Sequence, residues 1–238
     1  MMSEPIEAII LAGGMGTRIA SVLGDCPKVL APIHGRPYLD YLLKYLAESG
    51  IVERVVIAAG DRAHDVVEHC KNIMPPLPVD FSVETSPLGT GGALLKALPL
   101  VAGRTILVLN GDSYVDLDLR ETVTGHQRAV TDATLVAVHV EDSGPYGTIQ
   151  LDGDGVTGFM EKSGKSTPAW INAGIYMFDR PALMRFPPRF PAGGCSLERD
   201  ILPELVDGIV RVCKSDGPFI DIGTPESYAR AESFFERF

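Results

Sequence analysis

A glycine-rich turn near the start of the chain is followed by two cations. The turn, residues 11–17 (LAGGMGT), leads into Arg18, and Lys28 comes after a proline further along. Backbone N–H groups in such a turn can converge on an anion, and glycines let a phosphate approach closely. Arg can grip phosphate with a planar fork, and Lys can act as a point charge. The pattern is typical of a triphosphate site, although a tight strand-to-loop turn would have the same glycines.

Two aspartates stand next to apolar residues. Asp112 follows the apolar stretch 106–109 (ILVL) after Asn-Gly, and Asp221 lies between two isoleucines. A carboxylate among apolar neighbours is unfavourable unless it has a partner or a metal, and Mg²⁺ prefers hard oxygen ligands. The two acids could therefore hold Mg²⁺. The alternative is that Asp112 caps a turn and Asp221 pairs with a cation.

Two familiar phosphate-binding motifs are excluded. A dinucleotide fingerprint requires a third glycine where Ile19 stands, and the Gly-Lys-Ser/Thr of a P-loop is absent. The sequence therefore disfavours an NAD-dependent oxidoreductase. The histidines show neither ligand spacing nor a catalytic triad, so we expect them to be structural.

The composition is that of a soluble globular protein. The 238 residues are 45% hydrophobic and 22% charged. A net charge of -10 argues against broad electrostatic binding to nucleic acid or to an anionic membrane. The four cysteines have no CxxC spacing, and the start of the chain lacks the pattern of a signal peptide. We therefore expect a cytoplasmic protein.

The first half of the chain alternates apolar runs with helical patterns. Strands are predicted at 6–11, 55–59, 79–83 and 105–109, and helices at 38–49, 62–72 and 91–98. Strands that alternate with helices form a parallel α/β sheet, and open sheets of this kind bind ligands at the carboxyl ends of their strands. The glycine-rich turn and Asp112 are expected at that edge.

The second half has strand patterns with few helices between them. Strands are predicted at 134–140, 147–151, 155–161 and 171–178, followed by a helix from Ser196 towards Val206 and a last helix that begins at Thr224. We therefore predict an α/β fold with a Rossmann-like, mostly parallel sheet, helices on both faces and an antiparallel extension. No linker or repeat is evident, so we predict that residues 1–238 form a single domain.

The segment 13–18 (GGMGTR), followed by Pro27-Lys28, resembles the signature of the sugar-1-phosphate nucleotidylyltransferases. The resemblance runs from about Ala8 to Tyr228 with the motifs in the expected order. It implies the nucleotide-diphospho-sugar transferase fold, with a nucleotide-binding half at about 1–130 and a sugar-phosphate-binding half at about 131–238. It also implies catalytic roles for Arg18 and Lys28, which hold the triphosphate, and makes Asp112 and Asp221 the ligands of a Mg²⁺ cofactor.

Residues 84–92 (ETSPLGTGG) resemble the base-recognition loop of this family. A carboxylate at Glu84 can accept from N1–H and the exocyclic amine of guanine, whereas pyrimidine-selecting relatives often have glutamine there. The loop therefore favours GTP, with UTP or dTTP as the alternative and a solvated loop glutamate as the non-functional interpretation. The nucleotide-binding residues that the resemblance implies are Leu11, Gly13, Gly14, Gly16, Thr17, Glu84, Gly89 and Thr90.

Three segments of the second half resemble the family's sugar-phosphate site, namely 146–148 (YGT), 159–162 (FMEK) and 172–176 (NAGIY). They imply that Gly147, Glu161 and Asn172 contact sugar hydroxyls and that Lys162 contacts the phosphate. Val29 and Ser163 stand where the family often has proline, so the local turns depart from the family's pattern at these two positions.

The expected activity is Mg²⁺-dependent transfer of a nucleoside monophosphate to a sugar 1-phosphate, with release of pyrophosphate. The sequence of the base-recognition loop resembles that of relatives that transfer GMP to a sugar of the manno-heptose or mannose type, and it favours that activity here. A non-catalytic sensor of nucleotide sugars is a further alternative. The sequence does not fix the sugar or the oligomeric state.

Overall fold

The computed structural model describes residues 6–14, 16–60, 62–160, 164, 166–186, 194–206 and 209–238. The strands of these regions are β1 (Ile6–Ala12), β2 (Pro32–Ile33), β3 (Arg36–Pro37), β4 (Val52–Ala59), β5 (Val79–Val83), β6 (Thr105–Asn110), β7 (Ser113–Val115), β8 (Ala133–Val140), β9 (Thr148–Asp152), β10 (Gly155–Met160), β11 (Ala169–Asp179), β12 (Val210–Ser215) and β13 (Phe219–Asp221). The α-helices are α1 (Ala20–Leu23), α2 (Tyr38–Glu48), α3 (Ala63–Ile73), α4 (Gly89–Ala97), α5 (Leu119–Arg128), α6 (Arg180–Leu183), α7 (Leu202–Val206), α8 (Pro225–Ala229) and α9 (Ala231–Phe235).

A nine-stranded mixed sheet forms the centre of the molecule. Its strand order is β5-β4-β1-β6-β11-β8-β12-β10-β9. The first four strands in this order run parallel, β11 is antiparallel to both β6 and β8, and β12 is parallel to β8. The predicted fold class is confirmed: a parallel first half continues into a second half that contains antiparallel pairs.

Both faces of the sheet are covered, which explains the unbroken apolar runs of the central strands. In β1, Ala8, Ile9 and Ile10 have no exposed surface, although successive side chains point to opposite faces. The apolar residues of α2 are buried against one face, and those of α4 against the other. Among the described helices, none has the length and apolar content that a bilayer crossing requires.

Several elements differ from the prediction, and one of them, α5, was not predicted at all. Helix α5 buries only Leu119, Val123 and His126, and its remaining residues are polar, which hides the helical pattern. The helix predicted from Ser196 to Val206 is instead a π-helical turn (Leu197–Ile201) that leads into α7. Pro203 contributes to this change because it has no N–H to donate to the preceding turn.

His126 is a buried histidine that holds α5 against β8. Its Nδ1 lies 2.9 Å from the hydroxyl oxygen of Thr134. Burial lowers the pKa of His126 to about 4, against the opposing attraction of Asp179. The folded state therefore favours the neutral ring. Since the pKa in the unfolded chain is about 6.5, this contribution to stability is complete above that pH and is lost as the pH falls towards 4.

We expect His126→Gln to reduce the acid sensitivity of the fold. Between pH 7 and pH 4.5, the unfolding free energy of the wild type should fall by about 2 kcal/mol more than that of the variant. Urea unfolding at a series of pH values measures this difference. The matched control is His64→Gln, because the His64 side chain is 85% exposed. Equal pH slopes for the wild type and His126→Gln would contradict the assignment.

Candidate active site

A cavity of about 1170 Å³ opens at the carboxyl ends of β1 and β6. The carboxyl edge is where open α/β sheets bind ligands. The residues that line the cavity come from both halves of the chain. A ligand in the cavity therefore contacts both the glycine-rich loops and the antiparallel extension. Ten of the residues predicted from the sequence line it, namely Leu11, Gly14, Arg18, Lys28, Gly89, Thr90, Asp112, Gly147, Asn172 and Asp221.

Asp112 and Asp221 are brought together by the short antiparallel pair of β7 and β13. Asp221 lies opposite Ser113 in this pair, and the N–H of Ile222 donates to the carbonyl of Asp112 at 2.8 Å. Gly111 allows the approach to β1, because an added Cβ would lie only 2.7 Å from the carbonyl oxygen of Leu11. The two acids, far apart in the sequence, therefore line the same cavity.

The two predicted cations lie with these acids. The Nζ of Lys28 is 2.5 Å from Oδ2 of Asp112. Burial alone would raise the pKa of Asp112. The charge and hydrogen bond of Lys28, the hydrogen bond from Ser113 and the charge of Arg18 together outweigh burial and hold the pKa below its usual value. The guanidinium of Arg18 also lies at this end of the cavity, since a Cβ added to Gly223 would be 3.5 Å from Nη2 of Arg18 and 2.9 Å from Oδ1 of Asp221.

The donor set suits one kind of metal. Within the described ranges, no group of three or more His, Cys, Asp or Glu side chains is placed to hold a metal ion. Structural zinc requires such a set, whereas Mg²⁺ commonly uses one or two carboxylates together with substrate phosphates and water. Asp112 and Asp221 fit the second pattern.

Tyr146 holds the Asp221 carboxylate and was missed as a side-chain contributor. Its hydroxyl donates to Oδ2 of Asp221 at 2.6 Å, while the N–H of Gly223 donates to Oδ1 at 2.8 Å. Burial, followed by the hydrogen bond and charge of Asp221, raises the pKa of Tyr146 far above its usual value, so the hydroxyl stays protonated and donates. The Tyr-Gly-Thr motif predicts a backbone contact at Gly147 and no role for this side chain.

Glu84 joins the two glycine-rich loops from behind the cavity. Its Oε2 accepts from the N–H of Leu88 at 2.9 Å, and its Oε1 would be 2.5 Å from a Cβ at Gly13. Burial raises the pKa of Glu84, against the opposing effects of Leu88 and Lys96. Among the residues predicted to bind nucleotide, the cavity lining does not include Gly13, Gly16, Thr17 or Glu84. Base recognition by Glu84 therefore stays a prediction.

The sugar-phosphate side is only partly described. Asn172 lines the cavity from β11, and Gly147 lines it from the loop before β9. Glu161 and Lys162 lie outside the described residues. Glu198 and Arg230 also line the cavity and were not found by sequence reasoning, since no motif marks either position.

Comparisons with known proteins identify the family of this chain. A model of the family described as nucleotidyl transferase matches residues 7–237. The chain is 32% identical, over 98% of its length and 100% of the relative's, to a D-glycero-alpha-D-manno-heptose 1-phosphate guanylyltransferase of Aneurinibacillus thermoaerophilus. It is 34% identical to a protein of the same name from Campylobacter jejuni, over 94% of this chain and 97% of that one.

A solved structure has the same fold. The crystal structure of HddC from Yersinia pseudotuberculosis complexed with GMP-PN superposes with a TM-score of 0.85 at 33% identity, and the match covers 97% of this chain and 100% of HddC. The resemblance predicted from the motifs is thereby confirmed. This chain belongs to the nucleotidyl transferase family.

Proposed function

We propose that this chain transfers GMP from GTP to a manno-configured sugar 1-phosphate and releases pyrophosphate. The observation that carries the proposal is the convergence of Arg18, Lys28, Asp112 and Asp221 on one cavity between the glycine-rich loops and the antiparallel extension. Two relatives that this chain matches over nearly their whole length are named as guanylyltransferases of a manno-heptose 1-phosphate, which supports the same substrate class here.

The reaction is an in-line displacement at phosphorus. A phosphate oxygen of the sugar 1-phosphate bonds to the α-phosphorus of GTP, and the bond to the bridging oxygen breaks so that pyrophosphate leaves with that oxygen. The attacking phosphate is already anionic near neutral pH, so the protein need not remove a proton from it. Alignment of the two phosphates and neutralisation of their charge are the tasks left to the chain.

The four converging residues divide these tasks. Arg18 and Lys28 neutralise the oxygens of the transferring and leaving phosphates. Asp112 and Asp221 would hold Mg²⁺, which supplies positive charge to the reacting phosphates when it is bound. Lys28 also compensates Asp112 in the protein without substrate, where their contact is 2.5 Å. Tyr146 keeps the Asp221 carboxylate oriented into the cavity.

The activity itself is tested by a matrix of substrates. GTP, UTP, dTTP, CTP and ATP are each combined with mannose, glucose and manno-heptose 1-phosphates, and pyrophosphate release is measured with Mg²⁺ and with EDTA. We expect GTP with a manno-configured sugar to give the highest kcat/KM and EDTA to abolish the reaction until Mg²⁺ is restored. Clear preference for a pyrimidine nucleotide, or no turnover of any pair, would overturn the proposal.

We expect Lys28→Ala to lower kcat by about 100- to 1000-fold, because loss of one preorganised electrostatic group has effects of this size in other enzymes. Steady-state pyrophosphate release with GTP gives the rate, and thermal unfolding shows whether the fold is kept. Lys71→Ala is the matched control, since Lys71 is exposed on α3 and lies outside the site. A variant with near-normal turnover would remove Lys28 from the mechanism.

We expect Glu84→Gln to lower kcat/KM for GTP by roughly 10- to 100-fold, the size expected for a hydrogen bond to a charged group. The loss should be much smaller for UTP and dTTP, because an amide cannot accept from both guanine donors. The ratio of kcat/KM values between nucleotides is the measurement. If Glu84 only anchors Leu88, the three nucleotides will be affected equally and the base assignment fails.

A further inference from the structure

Glu198 is a charged side chain in the cavity that the proposed reaction does not use. It lies in the π-helical turn Leu197–Ile201, and its carboxylate lines the cavity wall. In the part of the chain that the structure describes, no Lys, Arg or His nitrogen pairs with it within 4.0 Å. Its partners are neutral hydroxyl groups. A single π-helical turn of this kind is found frequently at functional sites.

One oxygen of the Glu198 carboxylate contacts residues on the nucleotide side of the cavity. Oε2 accepts from the hydroxyl of Thr90 at 3.0 Å and from the hydroxyl of Ser196 at 3.1 Å. Thr90 is the second residue of α4, next to Gly89 in the predicted nucleotide loop. The same Thr90 oxygen accepts from the N–H of Leu197 at 2.8 Å, so its proton is directed to Glu198.

The other oxygen holds the sugar side. Oε1 accepts from the hydroxyl of Tyr176 at 3.3 Å. Tyr176 has no exposed surface, and burial together with the charge of Glu198 raises its pKa well above the usual value. The hydroxyl is therefore protonated and donates to Glu198. Its oxygen accepts from the side-chain amides of Asn110 and Asn172, and Nδ2 of Asn172 lies 2.8 Å from it.

This direction of hydrogen bonding fixes the Asn172 amide. Its Nδ2 faces Tyr176, and its Oδ1 accepts from the N–H of Gly174 at 3.1 Å. A primary amide has two N–H donors. Among the described residues the second has no hydrogen-bond partner, so it can be offered to a ligand in the cavity that Asn172 lines. If Tyr176 had no acceptor at Glu198, its proton could turn towards Asn172 and oppose this orientation.

A bulge in β11 makes the contact between Asn172 and Tyr176 possible. Asn172 pairs with Ala137 and Tyr176 with Leu135, so four steps along β11 match two along β8. In a regular strand the two residues would be about 13 Å apart at Cα. Gly174, with φ of +78°, occupies the bulge in a conformation that favours glycine.

We infer that Glu198 is a positioning residue that couples the nucleotide loop to the sugar-phosphate site. It acts through Thr90 on the start of α4 and through Tyr176 on the Asn172 amide. The inference rests on the proposed function in one respect, namely that Gly89 and Thr90 contact the nucleotide and Asn172 contacts the sugar. When nucleotide binding fixes Thr90, the hydrogen bonds through Glu198 and Tyr176 also fix the Asn172 amide. This amide then offers an N–H donor to the sugar phosphate.

The test is the binding of the sugar phosphate with and without nucleotide. Calorimetry gives the Kd of mannose 1-phosphate or manno-heptose 1-phosphate, whichever is turned over faster, alone and in the presence of a GTP analogue with a methylene group between the α- and β-phosphorus atoms. We expect the wild type to bind the sugar phosphate about tenfold more tightly with the analogue present, which is within the usual range of coupling between sites.

Three variants separate coupling from folding. Tyr176→Phe and Glu198→Ala should reduce the tenfold coupling to less than twofold, and Glu198→Gln should retain part of it because one acceptor oxygen remains. In Tyr176→Phe, which keeps the contact between Glu198 and Thr90, the Kd of the GTP analogue alone should change by less than about twofold, whereas a structural collapse would weaken both ligands. Tyr176→Phe keeps the ring volume and carries the test if Glu198→Ala does not fold. Glu204→Gln, an exposed acid on α7, is the matched control.

The outcomes are distinct. Coupling that persists in Tyr176→Phe overturns the role of Glu198, and so does a wild type in which the two ligands bind independently. If the wild type binds neither the GTP analogue nor either sugar phosphate, the proposed function fails as well, which the substrate matrix would show separately.

Discussion

The site depends on the pairing of two three-residue strands, β7 and β13. The hydrogen bond from Ile222 N–H to the Asp112 carbonyl fixes the backbones of both aspartates at one end of the cavity. Neighbouring carboxylates repel each other unless each is compensated. Lys28 compensates Asp112 and the Tyr146 hydroxyl satisfies Asp221, so the charged pair can be maintained before any ligand binds.

The change of strand direction in the sheet explains why the cavity has two different walls. β6 belongs to the parallel half and ends at Asn110, beside the glycine-rich loops that follow the other parallel strands. Its neighbour β11 runs the opposite way and brings Asn172 and Tyr176 to the same end of the sheet. Glycine-rich loops with two cations and a region rich in hydroxyl and amide groups therefore line the same cavity. This arrangement suits a reaction that joins two phosphate-bearing molecules.

How well each element could be predicted follows from its burial and its length. The parallel strands were recognised because burial on both faces gives continuous apolar runs, as in β1 and β6. β7 and β13 were missed because three residues are too few to show a period. Helix α5 was missed because only three of its side chains are buried. The bulge in β11 has no pattern beyond Gly174, since a glycine in a strand marks a bulge only once the register is known.

Taken alone, the sequence determined the types of chemical group and their order along the chain. The glycine-rich turn, Arg18, Lys28 and the two aspartates were recognisable because their requirements are local: small residues next to a strand, and charges beside apolar runs. Which of them meet was decided only by the tertiary structure. The contacts of Lys28 with Asp112, of Tyr146 with Asp221 and of Tyr176 with Glu198 depend on strand pairing and a bulge, because hydrogen bonds require partners within about 3 Å and local sequence does not fix such distances between remote residues.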